Sequence, residues 1–474
     1  MASVDDVWFA SAAVLAGMLR RRELSARELL DVHLRRIEQV NPAINAIVTL
    51  DEDGARRRAE EVDDRLARGE DVGPLAGLPA AHKDTHETAG MRTTWGSPLK
   101  SRFVPRRDEL VVARMREAGA VRVGKTNVPE FAAGSHTFNP VFGVTRNPYR
   151  LDRSAGGSSG GAAAALAAGL VPVAEGSDMG GSLRNPAAFC NVVGLRPTPG
   201  RVPMFPTRLA WSTLNVQGPL GRTVEDVALL LSVLAGPDHR VPISLQDDGS
   251  VFLGPLRQDL VGVRVAWAPT LGGQVPVDAE VLDALAPNVG VLQGLGAAVE
   301  EACPDLRDAD EVFGVLRAWE FAVSLGDVAA RYPDKVKASI RWNVDQGRRL
   351  SGADLGRAEL LHTRLYRRVV EFFDRYDVLM TPTTQVVAFD VDLEYPSEVG
   401  GQHQDSYLDW MRSVSMISAT GCPALSVPGG FTPEGLPVGL QVIGPPRGDR
   451  LVLDVGHAFE QATQFGRRRP RFEA

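Results

Sequence analysis

The sequence predicts an α/β fold. After Gly73-Pro74, short β-like runs alternate with helical ones, as where the helical pattern Val111 to Ala118 leads into the apolar run Val121 to Val123. A second strand-helix alternation runs from residue 255 to about 375 and gives way to longer helices. Between them, Gly156 to Gly200 is dense in glycine and other small residues, the composition a chain needs where backbones approach closely or φ turns positive. With 474 residues, 44% of them hydrophobic and 23% charged, the chain can bury a large core.

Taken in order, the first helix is marked by a capping box, Ser25 with Glu28, which Leu24 and Leu29 can staple. Leu30, Leu34 and Ile37 share its apolar face, and Asn41-Pro42 is expected to end it. Ala46 to Leu50 reads as a short strand and Glu52 to Arg68 as a charged helix. Thr223 to Leu234 has the spacing of an amphipathic helix. Gly236 to Gly254, rich in proline, glycine and aspartate, is the best candidate for a hinge or insertion. Ala353 to Asp374 reads as a long helix, Val378 to Thr381 as a strand stopped by Pro382, and Pro423 to Ile443 as β-rich ahead of a last helix near Arg450.

Composition excludes several function classes. The net charge of −7 is mild, and the densest basic run, Arg467, Arg468, Arg469 and Arg471, is of the kind that is usually only solvated, so no nucleic-acid partner is expected. Cys190, Cys303 and Cys422 are odd in number and widely spaced, which predicts neither a disulfide framework nor a metal knuckle and suits a reducing cytoplasm. No basic segment followed by an apolar one opens the chain, so no signal peptide is expected. Ser154 to Ala174 is uncharged and of membrane-spanning length, yet its glycines and Pro172 favour packed backbone over lipid.

Four short patterns compete for attention. Gly119 to Thr126 (GAVRVGKT) fits a phosphate loop, but the strand falls inside the motif where a loop is required. His82 and His86 have the spacing of a zinc pair without an intervening glutamate or a third ligand, and read as a packed or exposed pair. Ser97 to Lys100 matches SxxK, but neither companion motif occurs. Gly156 to Gly160 (GGSSG) fits a nucleophile elbow, although Leu151 to Ala155 is a poor apolar strand; that reading requires a histidine from His239, His362, His403 or His457 and stays open.

The whole segment from Gly156 to Gly200, GGSSGGAAAALAAGLVPVAEGSDMGGSLRNPAAFCNVVGLRPTPG, resembles the serine- and glycine-rich signature of the amidase signature family. The resemblance extends to GLPAAHKD (Gly77 to Asp84), GKTNVPEF (Gly124 to Phe131), GPLGRTVED (Gly218 to Asp226), YDVLMTPTT (Tyr376 to Thr384) and GCPALSVPGG (Gly421 to Gly430). It departs at Asn191, where glycine is common, and at Arg196, which replaces lysine. It implies one large α/β domain over residues 1–474, a mixed central sheet covered by helices. Within it, 1–70 would be an N-terminal helical region, 71–235 the signature core, 236–375 a more variable helical and substrate region, and 376–474 the rest of the core.

The resemblance also implies a catalytic triad of Lys83, Ser158 and Ser182, with a cis peptide bond before Ser158 that Gly157 eases. Ser159 would assist the relay, and Asp178 and Arg184 would support the loop. The chemistry of these residue types agrees. A serine hydroxyl needs a base to become a nucleophile, and lysine, with a reference pKa of about 10.4, acts as one near neutrality only where burial or cationic neighbours favour its neutral form. Ser158 can pass a proton from Ser182 to Lys83. Met179, Gly180, Gly181 and Ser182 can present consecutive N–H groups to an oxyanion. A flexible glycine-serine linker is the plain alternative, which the alanine-rich stretch between the serines argues against.

The expected activity is hydrolysis of a carboxamide, anilide, lactam or carbamate bond through an acyl-enzyme, with no cofactor and no metal. A small-molecule amide is the expected partner, membranes and nucleic acid are not, and a homodimer stays open. The alternatives are the glutaminase subunit of a tRNA-dependent amidotransferase, an esterase of α/β-hydrolase type, and a non-catalytic binding protein. Ser135 to Pro148 looks more like stand-alone members. Trp211, Phe313, Trp319, Trp342 and Trp410 are candidate pocket aromatics, each more often plain core.

Overall fold

The computed structural model describes residues 4–472. Among them, eleven strands make one sheet: β1 (Ile47–Leu50), β2 (Pro79–Lys83), β3 (Val121–Thr126), β4 (Val173–Asp178), β5 (Val193–Arg196), β6 (Val216–Gly221), β7 (Arg264–Trp267), β8 (Ala298–Glu301), β9 (Val378–Pro382), β10 (Ala424–Phe431) and β11 (Pro437–Ile443). Their order across the sheet is β1-β3-β2-β4-β6-β5-β10-β11-β9-β7-β8. The sheet is mixed: β3, β2 and β4 run parallel, as do β9, β7 and β8, while the remaining neighbours pair antiparallel.

Helices cover both faces, which is why the central strands are buried nearly throughout. On β10, Leu425 points at Gly456 of the terminal helix Asp449–Thr463, while its neighbour Ser426 points to the other face beside Gly439, against Ala188 of the helix Arg184–Phe189. Within the uncharged stretch from Ser154 to Ala174, Gly160–Ala167 forms an eight-residue helix, every residue of it buried, and Val173 begins β4. A Cβ at Gly161 would stand 2.3 Å from the Asn127 nitrogen, so the small residues there reflect backbone contact. No helix among the described residues is long and apolar enough to cross a membrane.

Most elements fall within a residue or two of expectation, including the Ser25–Glu28 capping box on the helix Ala26–Ile44. That helix runs past Asn41-Pro42 to Ile44. Pro42 removes one donor near the end of the helix, and the exit is rebuilt by Asn45 in the left-handed region (φ 53°) and by the Asn41 side chain, which accepts from the N–H groups of Ala46 and Ile47. The helix Ala12–Arg20, capped by Ser11, precedes the capping box and lies in the region 1–70 expected to be helical, though its bounds were not marked. Its buried Ala12, Leu15, Ala16 and Leu19 nevertheless carry a helical spacing in the sequence.

The phosphate-loop pattern is strand from Val121 onward, and its lysine donates to the His86 carbonyl at 2.5 Å and the Thr88 hydroxyl at 2.8 Å. Gly124 sits where the β2–β3 register slips, and a Cβ there would come 2.2 Å from the Thr49 carbonyl oxygen of β1. Gly124→Ala is therefore expected to destabilise the protein by about 1–3 kcal/mol through overpacking. A lowered Tm in thermal unfolding would show this, and an unchanged Tm would contradict it.

Candidate active site

Parallel strands β2 and β4 end side by side, and in α/β sheets ligands gather beyond the carboxyl ends of such strands. Lys83 is the last residue of β2, Ser177 and Asp178 close β4, and Ser158 and Ser159 precede the Gly160–Ala167 helix. The Lys83 side chain has no solvent exposure. Its Nζ lies 2.8 Å from the Ser158 hydroxyl, 2.9 Å from that of Ser159 and 3.0 Å from that of Ser177. Three oxygens suit an ammonium, which donates three times, and equally a neutral amine that donates twice and accepts once. Burial pushes this amine down to about 7, against the opposing fields of Glu175 and Asp178.

The Gly157–Ser158 peptide bond is cis. Two hydroxyls hold the backbone on either side: Ser135 donates to the Gly157 carbonyl at 2.8 Å and Thr137 to the Gly156 carbonyl at 2.8 Å. Asn185 in turn donates to Ser135 at 2.8 Å. Gly176 is required beneath Ser159, since a Cβ there would lie 2.4 Å from the Ser159 hydroxyl oxygen.

The turn from Met179 to Leu183 is organised by Asp178. Its carboxylate accepts from the N–H of Gly181 at 2.8 Å and of Leu183 at 3.1 Å, and from Arg184 through Nε at 3.0 Å and Nη2 at 2.9 Å. Burial alone would raise this carboxyl, but Arg184, Arg196 and the Gly181 N–H hold it well below the usual carboxylate range. Arg184 also donates to the Gln441 side chain, the Ser418 hydroxyl and the Val414 carbonyl, and Arg196 donates to the Asp178 and Leu214 carbonyls. The lysine-to-arginine departure at 196 thus bears directly on the support of this turn. Asn191, the other departure, has φ 55°, a conformation asparagine tolerates better than most residues.

The Gly181 N–H is committed to Asp178, so of the four donors named from sequence it is not free for a ligand. The Ser182 hydroxyl faces a cavity of about 630 Å³ that Ser158, Ser177, Met179 and Gly180 also line, and it makes no hydrogen bond among the described residues. The structure therefore bonds Lys83 to Ser158 directly and brings Ser182 to the same cavity.

His82 and His86 are a packed pair, not an exposed one. His82 Nδ1 lies 3.2 Å from one oxygen of buried Glu175, and His86 Nδ1 lies against the other. Glu175 also accepts from the Lys83 backbone N–H at 3.0 Å. Neither Glu175 nor Ser177 stands out in the sequence. None of His239, His362, His403 and His457 lines the cavity, so the nucleophile-elbow arrangement lacks its base there. Nor do Trp211, Phe313, Trp319, Trp342 or Trp410: Trp410 is core, Trp211 is 77% exposed, and the cavity's aromatic walls are Trp95, Phe131, Phe321 and Tyr407. Residue type alone does not report which way a ring faces.

The sequence matches the Amidase family over residues 28–453. The chain belongs to the amidase family. Its fold is that of amidase signature enzymes: the crystal structure of a bacterial aryl acylamidase of that group superposes with a TM-score of 0.89 at 31% identity, covering 97% of this chain and 98% of the other. The chain is 39% identical to the A-type subunit of the glutamyl-tRNA(Gln) amidotransferase of Geobacillus thermodenitrificans (strain NG80-2), over 96% of this chain and 97% of the relative. It is 37% identical to an acylamidase of Rhodococcus erythropolis, over 98% of each.

In this family member, Arg184→Met would leave the buried Asp178 carboxylate without its bidentate partner, a loss of about 3–5 kcal/mol for a broken buried pair. A strongly depressed Tm or insoluble expression is expected; a wild-type Tm would show that Asp178 does not depend on Arg184.

Proposed function

We propose that the chain is a stand-alone amidase that cleaves a carbon-nitrogen amide bond through an acyl-enzyme on Ser182. The observation that carries this is the buried Lys83 amine, 2.8 Å from Ser158 and held near 7 by its burial. Ser182 Oγ attacks the carbonyl carbon while its proton passes to Ser158 and that of Ser158 to Lys83. The oxyanion takes the N–H groups of Met179, Gly180 and Ser182, those of the four not claimed by Asp178, and loss of one such donor typically costs roughly 3–4 kcal/mol. On collapse the relay runs backwards, the C–N bond breaks and the amine leaves protonated. Water, deprotonated by the same relay, then releases the carboxylic acid. Ser159 and Ser177 hold Lys83 on the relay, and Asp178 with Arg184 keeps the turn in place. The 236–375 region selects substrate, since Val241, Arg317, Glu320 and Phe321 line the same cavity as the serines.

A second reading, the glutaminase subunit of a tRNA-dependent amidotransferase, is favoured by the 39% identity to the Geobacillus protein. Purified chain assayed alone on anilides, lactams, primary amides, carbamates and glutamine separates the two. Turnover of simple amides without partner subunits is expected; glutaminase activity only with partners would favour the second reading. Fluorophosphonate is expected to label Ser182, and an adduct on Ser158 would overturn the assigned nucleophile. Lys83→Met, folded by circular dichroism, is expected to lose several orders of magnitude in kcat/KM, as when other nucleophile-base pairs are broken. Wild-type turnover by that variant would remove Lys83 as the base.

A further inference from the structure

The cavity that the serines line is also lined by Arg317, a cation that forms no ion pair among the described residues. This arginine lies on the helix Ala309–Arg331 and is 5% exposed. Nη1 donates to the Asn343 side-chain amide oxygen at 2.8 Å and Nη2 to the Tyr407 hydroxyl at 2.6 Å, and the guanidinium sits 4.1 Å from the Phe321 ring centre. Both hydrogen-bond partners are neutral, for burial also pushes the Tyr407 phenol up. A guanidinium carries five N–H groups, so these bonds leave more than half of them unclaimed. The nearby carboxyl, Glu320, is bonded by the Ser212 hydroxyl and forms no ion pair with Arg317. Burial pushes this carboxyl up, against the Ser212 hydroxyl and the field of Arg317, so Glu320 acts on the guanidinium only from a distance.

A buried charge without a counter-ion costs several kcal/mol, and chains keep one where a ligand completes it. Here the ring of Phe321, the Asn343 amide and Tyr407 fix the guanidinium plane before anything binds. Asn343 is itself held, donating to the Tyr407 oxygen at 2.7 Å and the Ser339 carbonyl at 2.6 Å. The position relative to the chemistry follows from packing. A Cβ on Gly180 would touch the Phe313 ring at 2.5 Å, so this helix rests on the oxyanion turn. Arg317 follows Phe313 by one helical turn on the same face, a rise of about 6 Å.

We propose that Arg317 is a specificity-determining residue that binds a carboxylate carried by the amide substrate, a short chain away from the scissile bond. This rests on the amidase reading and narrows its substrate class to amides bearing a carboxylate. Planar, bidentate recognition of that group is what arginine supplies and lysine does not.

Calorimetry on Ser182→Ala protein, which binds amides without consuming them, tests this with two matched pairs. Glutaramate against pentanamide places the charge on the acyl side, and N-acetyl-β-alanine against N-propylacetamide places it on the leaving side. In at least one pair the charged member should bind about 10- to 100-fold more tightly, the range expected of hydrogen bonds to a charged group. Adding Arg317→Met should abolish the preference, and Arg317→Lys should keep part of it. Charge-independent binding in both pairs, or a preference that survives Arg317→Met, would overturn the proposal. Should Arg317→Met not fold, the matched pairs still decide it, and Tyr407→Phe should weaken the preference. Failure of the amidase reading would look different: no turnover by wild-type protein, with the binding preference intact.

Discussion

Lys83 ends a buried strand with its amine sealed among three serine hydroxyls, and that enclosure sets what the site can do. In water a lysine is charged at neutral pH and cannot accept a proton. Here the lost hydration outweighs the two nearby carboxylates, Glu175 and Asp178, and brings the amine down to about 7. The rest of the site keeps this amine dry and aimed. Gly161 of the Gly160–Ala167 helix must lack a side chain because it presses on the Asn127 backbone, and Gly176 because Ser159 occupies that space. Glu175, which accepts the Lys83 backbone N–H, has two histidines as its side-chain partners instead of the Lys83 amine.

A second buried charge organises the turn beside it. Asp178 gathers the N–H groups of Gly181 and Leu183, which directs the intervening N–H of Ser182 elsewhere, and two arginines balance its charge. The same arginines reach the Ser418 region and Gln441 of β11, tying the turn to the far part of the sheet. The 309–331 helix, which touches the turn through Phe313, supplies a further wall of the same cavity.

Much of this was legible in the sequence, and for physical reasons. The family resemblance pointed to Lys83, Ser158 and Ser182, of which the first two are hydrogen-bonded and the last two line one cavity, and the capping box at Ser25 and the strand at Val121 are local signals. What escaped depends on contacts between distant segments. Glu175 and Ser177 became visible only with the β2–β4 register, which pairs Ala81 with Ala174. The support of the Gly156 and Gly157 carbonyls by Thr137 and Ser135 needs a loop folded back over residues twenty or so positions away. The pocket aromatics named from sequence faced elsewhere, and Pro42 did not stop its helix because Asn41 and Asn45 repaired the exit.

The most direct measurement is of Lys83 itself. The chain holds only five lysines, so 13Cε-labelled lysine gives a spectrum simple enough to follow through a pH titration. The resonance that disappears in Lys83→Met identifies the group and separates it from buried Lys125. Lys83 is predicted to titrate near the value of about 7 set by its burial. A Lys83 that stays charged until close to the reference value of about 10.4 would contradict its role as the base.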